Sequence, residues 1–92
     1  NSGILLLKNI IDCKCYIGKS INLIKRLNDH KQLLHNQKHY NLHLQNAWNL
    51  HKETNFIFKI LLYCDEKDLS YFENFYCNFF KSHNRKKGYN IE

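Results

Sequence analysis

Four side chains offer chemistry before any fold is considered. Tyr16 sits in a short apolar run, Cys15-Tyr16-Ile17, that stops at Gly18. Arg26 and His30 lie four residues apart in a stretch where Leu23, Ile24, Leu27 and Leu34 follow helical spacing, so they share one helix face. A phenol at a strand end beside a guanidinium and an imidazole forms a grip for an anionic oxygen. Glu73 is the fourth. It falls four residues after Leu69 and three before Tyr76, on or beside the apolar face of a later helix. A carboxylate there must be paired, protonated or metal-bound to offset its desolvation. Each also has a plain structural reading: a packed strand tyrosine, a surface arginine, a supporting histidine, and a glutamate ion-paired with Arg26 or a lysine.

The elements that must position these groups follow from pattern. Residues 4–8 read as a strand, 9–14 as a polar turn and 15–19 as a second strand, forming a hairpin. Leucines on both faces of the first strand imply cover on both sides and an inner position. Gly18 permits a close backbone approach that a Cβ would block. Ser20 suits an N-cap for a helix over residues 21–34, with Lys25 and Asp29 as an exposed i,i+4 pair. Residues 35–39 have no period and read as a loop. A second helix over 41–52 buries Leu44, Ala47, Trp48 and His51, with Trp48 a core anchor. Residues 56–63 are apolar except Lys59, as in a central strand covered on both faces. Asp65 suits the N-cap of a third helix over 66–81, striped by Leu69, Phe72, Tyr76, Phe79 and Phe80. The tail is basic and irregular, with Gly88-Tyr89-Asn90 as a turn signal. The expected class is α/β of the α+β type: a small three-stranded, mostly antiparallel sheet flanked by helices, in the order β-β-α-α-β-α.

Ninety-two residues make a single domain, 1–92, with a modest core. The formal net charge of +6 favours polyanions. Lys19, Lys25, Arg26 and Lys31 cluster early, and Arg85-Lys86-Lys87 late. No apolar run approaches the roughly 20 residues of a membrane span, so no membrane partner is expected. There is no signal-peptide charge pattern, and the absence of Met reads as a chain that is processed, tagged or excised from a longer one. Cys13, Cys15, Cys64 and Cys77 lack disulfide-scaffold or zinc-knuckle spacing, which implies free thiols in a reducing intracellular compartment.

Gly3-Ile4-Leu5, Tyr16-Ile17-Gly18, Arg26, His30, His39, the run Leu44-Gln45-Asn46-Ala47-Trp48, Phe56-Ile57-Phe58, Glu73 and Gly88-Tyr89-Asn90 span nearly the whole chain. In order and spacing they resemble the GIY-YIG endonuclease domain family, nearest its homing and phage-like branch. The resemblance implies a metal-dependent endonuclease that hydrolyses DNA phosphodiester bonds. It assigns Glu73 to Mg2+ or Mn2+, Arg26 to transition-state charge and Tyr16 to water activation. His30 acts in support, His39 contacts substrate or braces the site, and Asn90 organises it; Lys19, from the early basic cluster, is a further candidate for substrate contact or support. Such relatives carry a further DNA-targeting region beyond a linker. One position departs from the pattern: Leu5 stands where the family has the tyrosine of its first tripeptide. Leu5 keeps alive a module that binds nucleic acid without cutting it. A third alternative is a small basic interaction domain whose aromatics are all core.

Overall fold

β1 (Gly3–Asn9) is the strand on which the rest is laid. Ile4, Leu5 and Leu7 are fully buried, so both faces of β1 are covered, as consecutive large aliphatics require. It pairs antiparallel with β2 (Cys15–Ser20) on one side and with β3 (Phe56–Tyr63) on the other, giving the order β2-β1-β3. The computed structural model describes residues 1–84 and 87–90. Arg85 and Lys86 of the late basic cluster lie outside the described residues.

On one face, Leu5, Leu7 and Tyr16 pack under α1 (Leu23–His35) and α2 (Leu42–His51), with Leu23, Leu34, Leu44 and Trp48 filling the layer. Trp48 is buried against Phe56 and Phe58, as the core-anchor reading expects. On the other face, Ile4, Leu6 and Ile17 pack under α3 (Leu69–Phe80) through Leu69, Phe72, Tyr76 and Phe80. Helices therefore flank an antiparallel sheet in the α+β arrangement, and the element order is the expected one.

Four local expectations are corrected. β3 is an edge strand rather than the centre, because β1 takes partners on both sides and α3 lies over β2 and β1. Ile57 and Tyr63 are consequently exposed despite the apolar run. Asn22, not Ser20, caps α1, accepting from Lys25 N–H at 3.2 Å; Ser20 is still the last residue of β2. Asp65 precedes a short 3₁₀ turn, Glu66–Asp68, and the α-helix proper starts at Leu69. Ile24 and Phe79 point outward instead of into the core.

The tail seals the outer edge of β2. Tyr89 N–H donates to the Cys15 carbonyl at 2.8 Å, and Cys15 N–H donates to Lys87 O at 3.3 Å. The buried Tyr89 hydroxyl also donates to Asp12 and accepts from Asn9, tying the tail to the β1–β2 turn. Gly88 makes this path possible. A Cβ there would lie 2.0 Å from Ser82 Cα and 2.1 Å from its carbonyl oxygen, both backbone atoms that cannot swing away. Gly88→Ala is expected to lower unfolding free energy by about 1–3 kcal/mol, the usual cost of overpacking, in a urea melt. An unchanged midpoint would show that the tail docks without a steric requirement at this position.

Candidate active site

The site forms where β2, the start of α1 and the loop between α1 and α2 meet. Leu5 and Gly18 are cross-strand partners, and Tyr16 lies two residues before Gly18 on the same strand. Side chains at these positions share one sheet face. A Cβ on Gly18 would come within 3.2 Å of Leu5 Cδ1 and 3.4 Å of Tyr16 Cε2. The missing side chain thus leaves the space above Gly18 to the Leu5 methyl and the Tyr16 ring. Tyr16 is buried, and its hydroxyl meets that of Tyr40 at 2.9 Å.

Arg26 rises from the first turn of α1, and its Nη2 donates to Tyr40 Oη at 2.7 Å. Its guanidinium also lies over the Tyr40 ring, 5.6 Å from the centroid. Guanidinium, Tyr40 hydroxyl and Tyr16 hydroxyl therefore form one continuous chain of hydrogen bonds. Burial and the Tyr40 hydroxyl push the Tyr16 phenol well above the ordinary range, and Arg26 only partly opposes them. Among the protein groups alone, desolvation outweighs the nearby cation. Glu73 is near enough to raise the Tyr16 pKa further.

His30 and His39 are both buried and meet at 2.7 Å, Nδ1 to Nε2, with rings stacked at 5.0 Å. Asn41 N–H donates to His39 Nδ1 at 3.0 Å. That nitrogen is therefore the acceptor, the His39 proton sits on Nε2, and it is donated to His30 Nδ1. The loop holding His39 is fixed in turn: His39 N–H donates to Gln45 Oε1 at 3.0 Å, and Gln45 Nε2 donates to Leu34 O at 3.0 Å. Asn41 caps α2 by accepting from Leu44 N–H, and its amide donates to Tyr89 O at 2.7 Å. Burial is the main reason that His30 is pushed down to about 3 and His39 to about 4, with Arg26 adding to both. His30 is therefore uncharged at neutral pH and takes a proton only near 3.

Glu73 projects from α3 toward β2, half-buried, with Oε1 3.8 Å from Lys19 Nζ. Lys19 donates to Ser70 Oγ at 2.9 Å. The carboxylate is thus loosely paired rather than locked, and it pairs with Lys19 rather than Arg26. Asn90 binds the backbone of Ile17 with both ends of its amide: Oδ1 accepts from Ile17 N–H at 2.7 Å, and Nδ2 donates to Ile17 O at 2.8 Å. It fixes the residue between Tyr16 and Gly18 from the strand's open edge. Among the described residues no three His, Cys, Asp or Glu side chains gather to hold a metal. The donor set is one carboxylate. That fits a hard divalent ion that keeps most of its waters and takes substrate oxygens, such as Mg2+ or Mn2+, and not a zinc cage.

Sequence reasoning on Tyr16, Arg26, His30 and His39 named groups that the fold brings together, and on Lys19 and Glu73 a second pair beside them. It passed over Tyr40, which touches Tyr16, Arg26, His30 and His39. Its signal was slight: an aromatic next to His39 in a stretch without period.

The model of the GIY-YIG catalytic domain matches residues 1–90. The chain belongs to the GIY-YIG family. The catalytic domain of homing endonuclease I-TevI superposes with a TM-score of 0.88 at 29% identity, covering 100% of this chain and 99% of that one. A mutant of the catalytic domain of the intron endonuclease I-TevI gives 0.86 at 29% identity, over 99% and 93%. No curated protein matches. Within this GIY-YIG domain the glycines of both tripeptides lie in the paired strands β1 and β2, and Leu5 fills the first-tripeptide tyrosine position with a fully buried aliphatic chain.

The neutral histidine pair makes stability pH-dependent with a definite sign. Below the ordinary value of about 6.5 the unfolded chain binds a proton on each imidazole, whereas the folded chain does so only near 4 and 3. The unfolded state binds more protons, so stability falls as pH drops through this window, by up to about 1.4 kcal/mol per pH unit for each histidine. In ¹⁵N-edited NMR, the His30 and His39 rings should stay neutral from pH 8 to 5. Titration of either ring near 6.5 would contradict the assignment.

Proposed function

We propose that this GIY-YIG domain is a metal-dependent endonuclease that hydrolyses phosphodiester bonds of DNA. The observation that carries the reading is the convergence of the Arg26 guanidinium and the Tyr16 hydroxyl beside the half-buried carboxylate of Glu73. The relatives named as catalytic domains of a homing endonuclease support it.

Hydrolysis forms a bond from water oxygen to phosphorus and breaks a phosphorus–ester oxygen bond; the water loses a proton and the leaving oxygen gains one. Negative charge grows on the non-bridging oxygens as this happens. Arg26 spends one N–H on Tyr40 and keeps the rest of its fork for those oxygens, where a fixed cation acts without reorganising. Tyr16, whose proton burial and the Tyr40 hydroxyl hold tightly, orients the attacking water by hydrogen bonding. Neutral His30 and His39 hold the loop and add no charge that would compete with Arg26 for the phosphate. Lys19 offers a partly exposed ammonium to a neighbouring phosphate. Asn90 keeps β2 flat against the tail, so that Tyr16 cannot rotate away. Glu73 is the residue that would hold a divalent ion, which when bound supplies Lewis-acid stabilisation to the phosphate.

The phosphate contacts available here do not read base sequence, so target choice belongs to a further DNA-targeting segment of a longer chain. The four free cysteines suit a reducing compartment inside the cell. Leu5 favours a second reading, a domain that binds DNA but does not cut it, because one phenol of the family pattern is gone. Nicking of supercoiled plasmid separates the two. With Mg2+ or Mn2+ the parent should nick, and EDTA or Glu73→Ala should slow it about a hundredfold or more, the equivalent of several kcal/mol at the metal. Binding without nicking would select the second reading. Nicking indifferent to EDTA and to Glu73→Ala would overturn the metal role.

A further inference from the structure

Tyr40 occupies a position that neither the family pattern nor the sequence reading assigns, yet it has more contacts to the site than any residue they named. Its hydroxyl accepts from Arg26 Nη2 at 2.7 Å and lies 2.9 Å from the Tyr16 hydroxyl. Its ring stacks on His39 at 4.5 Å and tilts against His30 at 6.2 Å. Arg26 can only donate, so Tyr40 Oη accepts from it; the Tyr40 and Tyr16 hydroxyls share a second hydrogen bond, in which either oxygen can be the donor. The Tyr16 hydroxyl is thereby held at a fixed distance from the oxygen that Arg26 grips. Tyr40 itself is exposed, 57% of its surface remaining open, so nothing in core packing demands an aromatic there.

Leu5 presents the complementary fact. It is fully buried, faces Gly18 across the β1–β2 ladder and shares the space above Gly18 with the Tyr16 ring. A hydroxyl carried at position 5 would have approached Tyr16 from within the sheet. None can come from leucine. The loop between α1 and α2 brings one in from the opposite side, 24 residues along the chain from Tyr16.

We propose that Tyr40 supplies the phenolic hydroxyl that Leu5 lacks, acting as a positioning residue that orients the Tyr16 hydroxyl and fixes the Arg26 guanidinium for phosphodiester cleavage. The inference rests on the nuclease reading. It makes the loss at position 5 a relocation of one functional group from strand to loop, rather than a deletion.

The test is a cycle of Tyr40→Phe and Leu5→Tyr in the plasmid-nicking assay, with circular dichroism melts to verify folding. Tyr40→Phe keeps the ring, its stacking on His39 and the cation–π contact, and removes only the hydroxyl. It should reduce kcat about a hundredfold with little change in KM, in the range of a lost acid–base or orienting group. Leu5→Tyr alone should change the rate less than about threefold, yet in the Tyr40→Phe background it should recover most of the loss. A merely structural role for Tyr40 gives no such rescue, because Leu5→Tyr restores no contact to the loop. Nicking by Tyr40→Phe within about threefold of the parent would overturn the proposal, as would a loss that Leu5→Tyr does not repair. A silent parent beside an active Leu5→Tyr would overturn it too, while leaving the nuclease reading standing. Silence from parent, Leu5→Tyr and double variant alike would instead bring down the nuclease reading itself.

Discussion

The site depends on two imidazoles that touch where water cannot reach. His30 comes from the middle of α1 and His39 from the loop beyond it, and their nitrogens lie 2.7 Å apart with both rings buried. Burial disfavours a charge on either ring, and the Arg26 guanidinium adds to this, so both are neutral at neutral pH and share a single proton between them. The Asn41 amide decides which nitrogen carries it. This pins the loop to the helix, and the next residue in the loop is Tyr40. A phenol on an otherwise open loop is thereby delivered to the same point as Arg26 from α1 and Tyr16 from β2.

Amide side chains extend this restraint. Gln45 holds the His39 backbone and reaches back to the end of α1. Asn41 caps α2, bonds His39 and ties the tail through Tyr89. Asn90 grips the backbone of Ile17 from the tail, next to Tyr16. Three polar side chains from different elements thus do what a larger domain would do with core. A chain of this size has a small hydrophobic margin, and a fully satisfied polar network adds rigidity where packing alone would be thin. The electrostatic result is selective: burial keeps the two histidines uncharged, while Lys19 and Glu73, both partly open to solvent, lie beside the hydrogen-bonded Arg26–Tyr40–Tyr16 chain.

Much of the fold was legible because its strongest patterns are local. The apolar stretches of β1 and β3, the helical spacing of Leu23, Leu27 and Leu34, and Trp48 on its stripe all report directly on burial. β3 was misplaced because apolar residues on both sides of a strand indicate neither how many strands flank it nor how far a single helix reaches over the sheet. Ser20 and Asp65 were misjudged as caps because several capping residues stand close together, and only backbone geometry chooses between them. In the site, residue type and spacing singled out Tyr16, Arg26, His30 and Glu73 as candidates, and the family resemblance supplied the roles proposed for them. The charge states were not legible: the imidazole values depend on burial by a loop that has no period. Tyr40 was invisible for the same reason. Its partners lie 14 and 24 residues away, and no local pattern encodes a contact between a loop tip and two separate elements.

The central claim is that a divalent ion and a DNA phosphate meet between Glu73 and the linked hydroxyls of Tyr16 and Tyr40. Paramagnetic broadening by Mn2+ tests it most directly, in ¹H–¹⁵N spectra of the protein bound to a cleavage-resistant phosphorothioate duplex. The account predicts loss of signals centred on Glu73 and reaching Lys19 and Tyr16, abolished by Glu73→Ala. Broadening centred elsewhere, such as at Asp12 in the β1–β2 turn and His51, which lies 3.8 Å from it, or spread evenly over the surface, would contradict it.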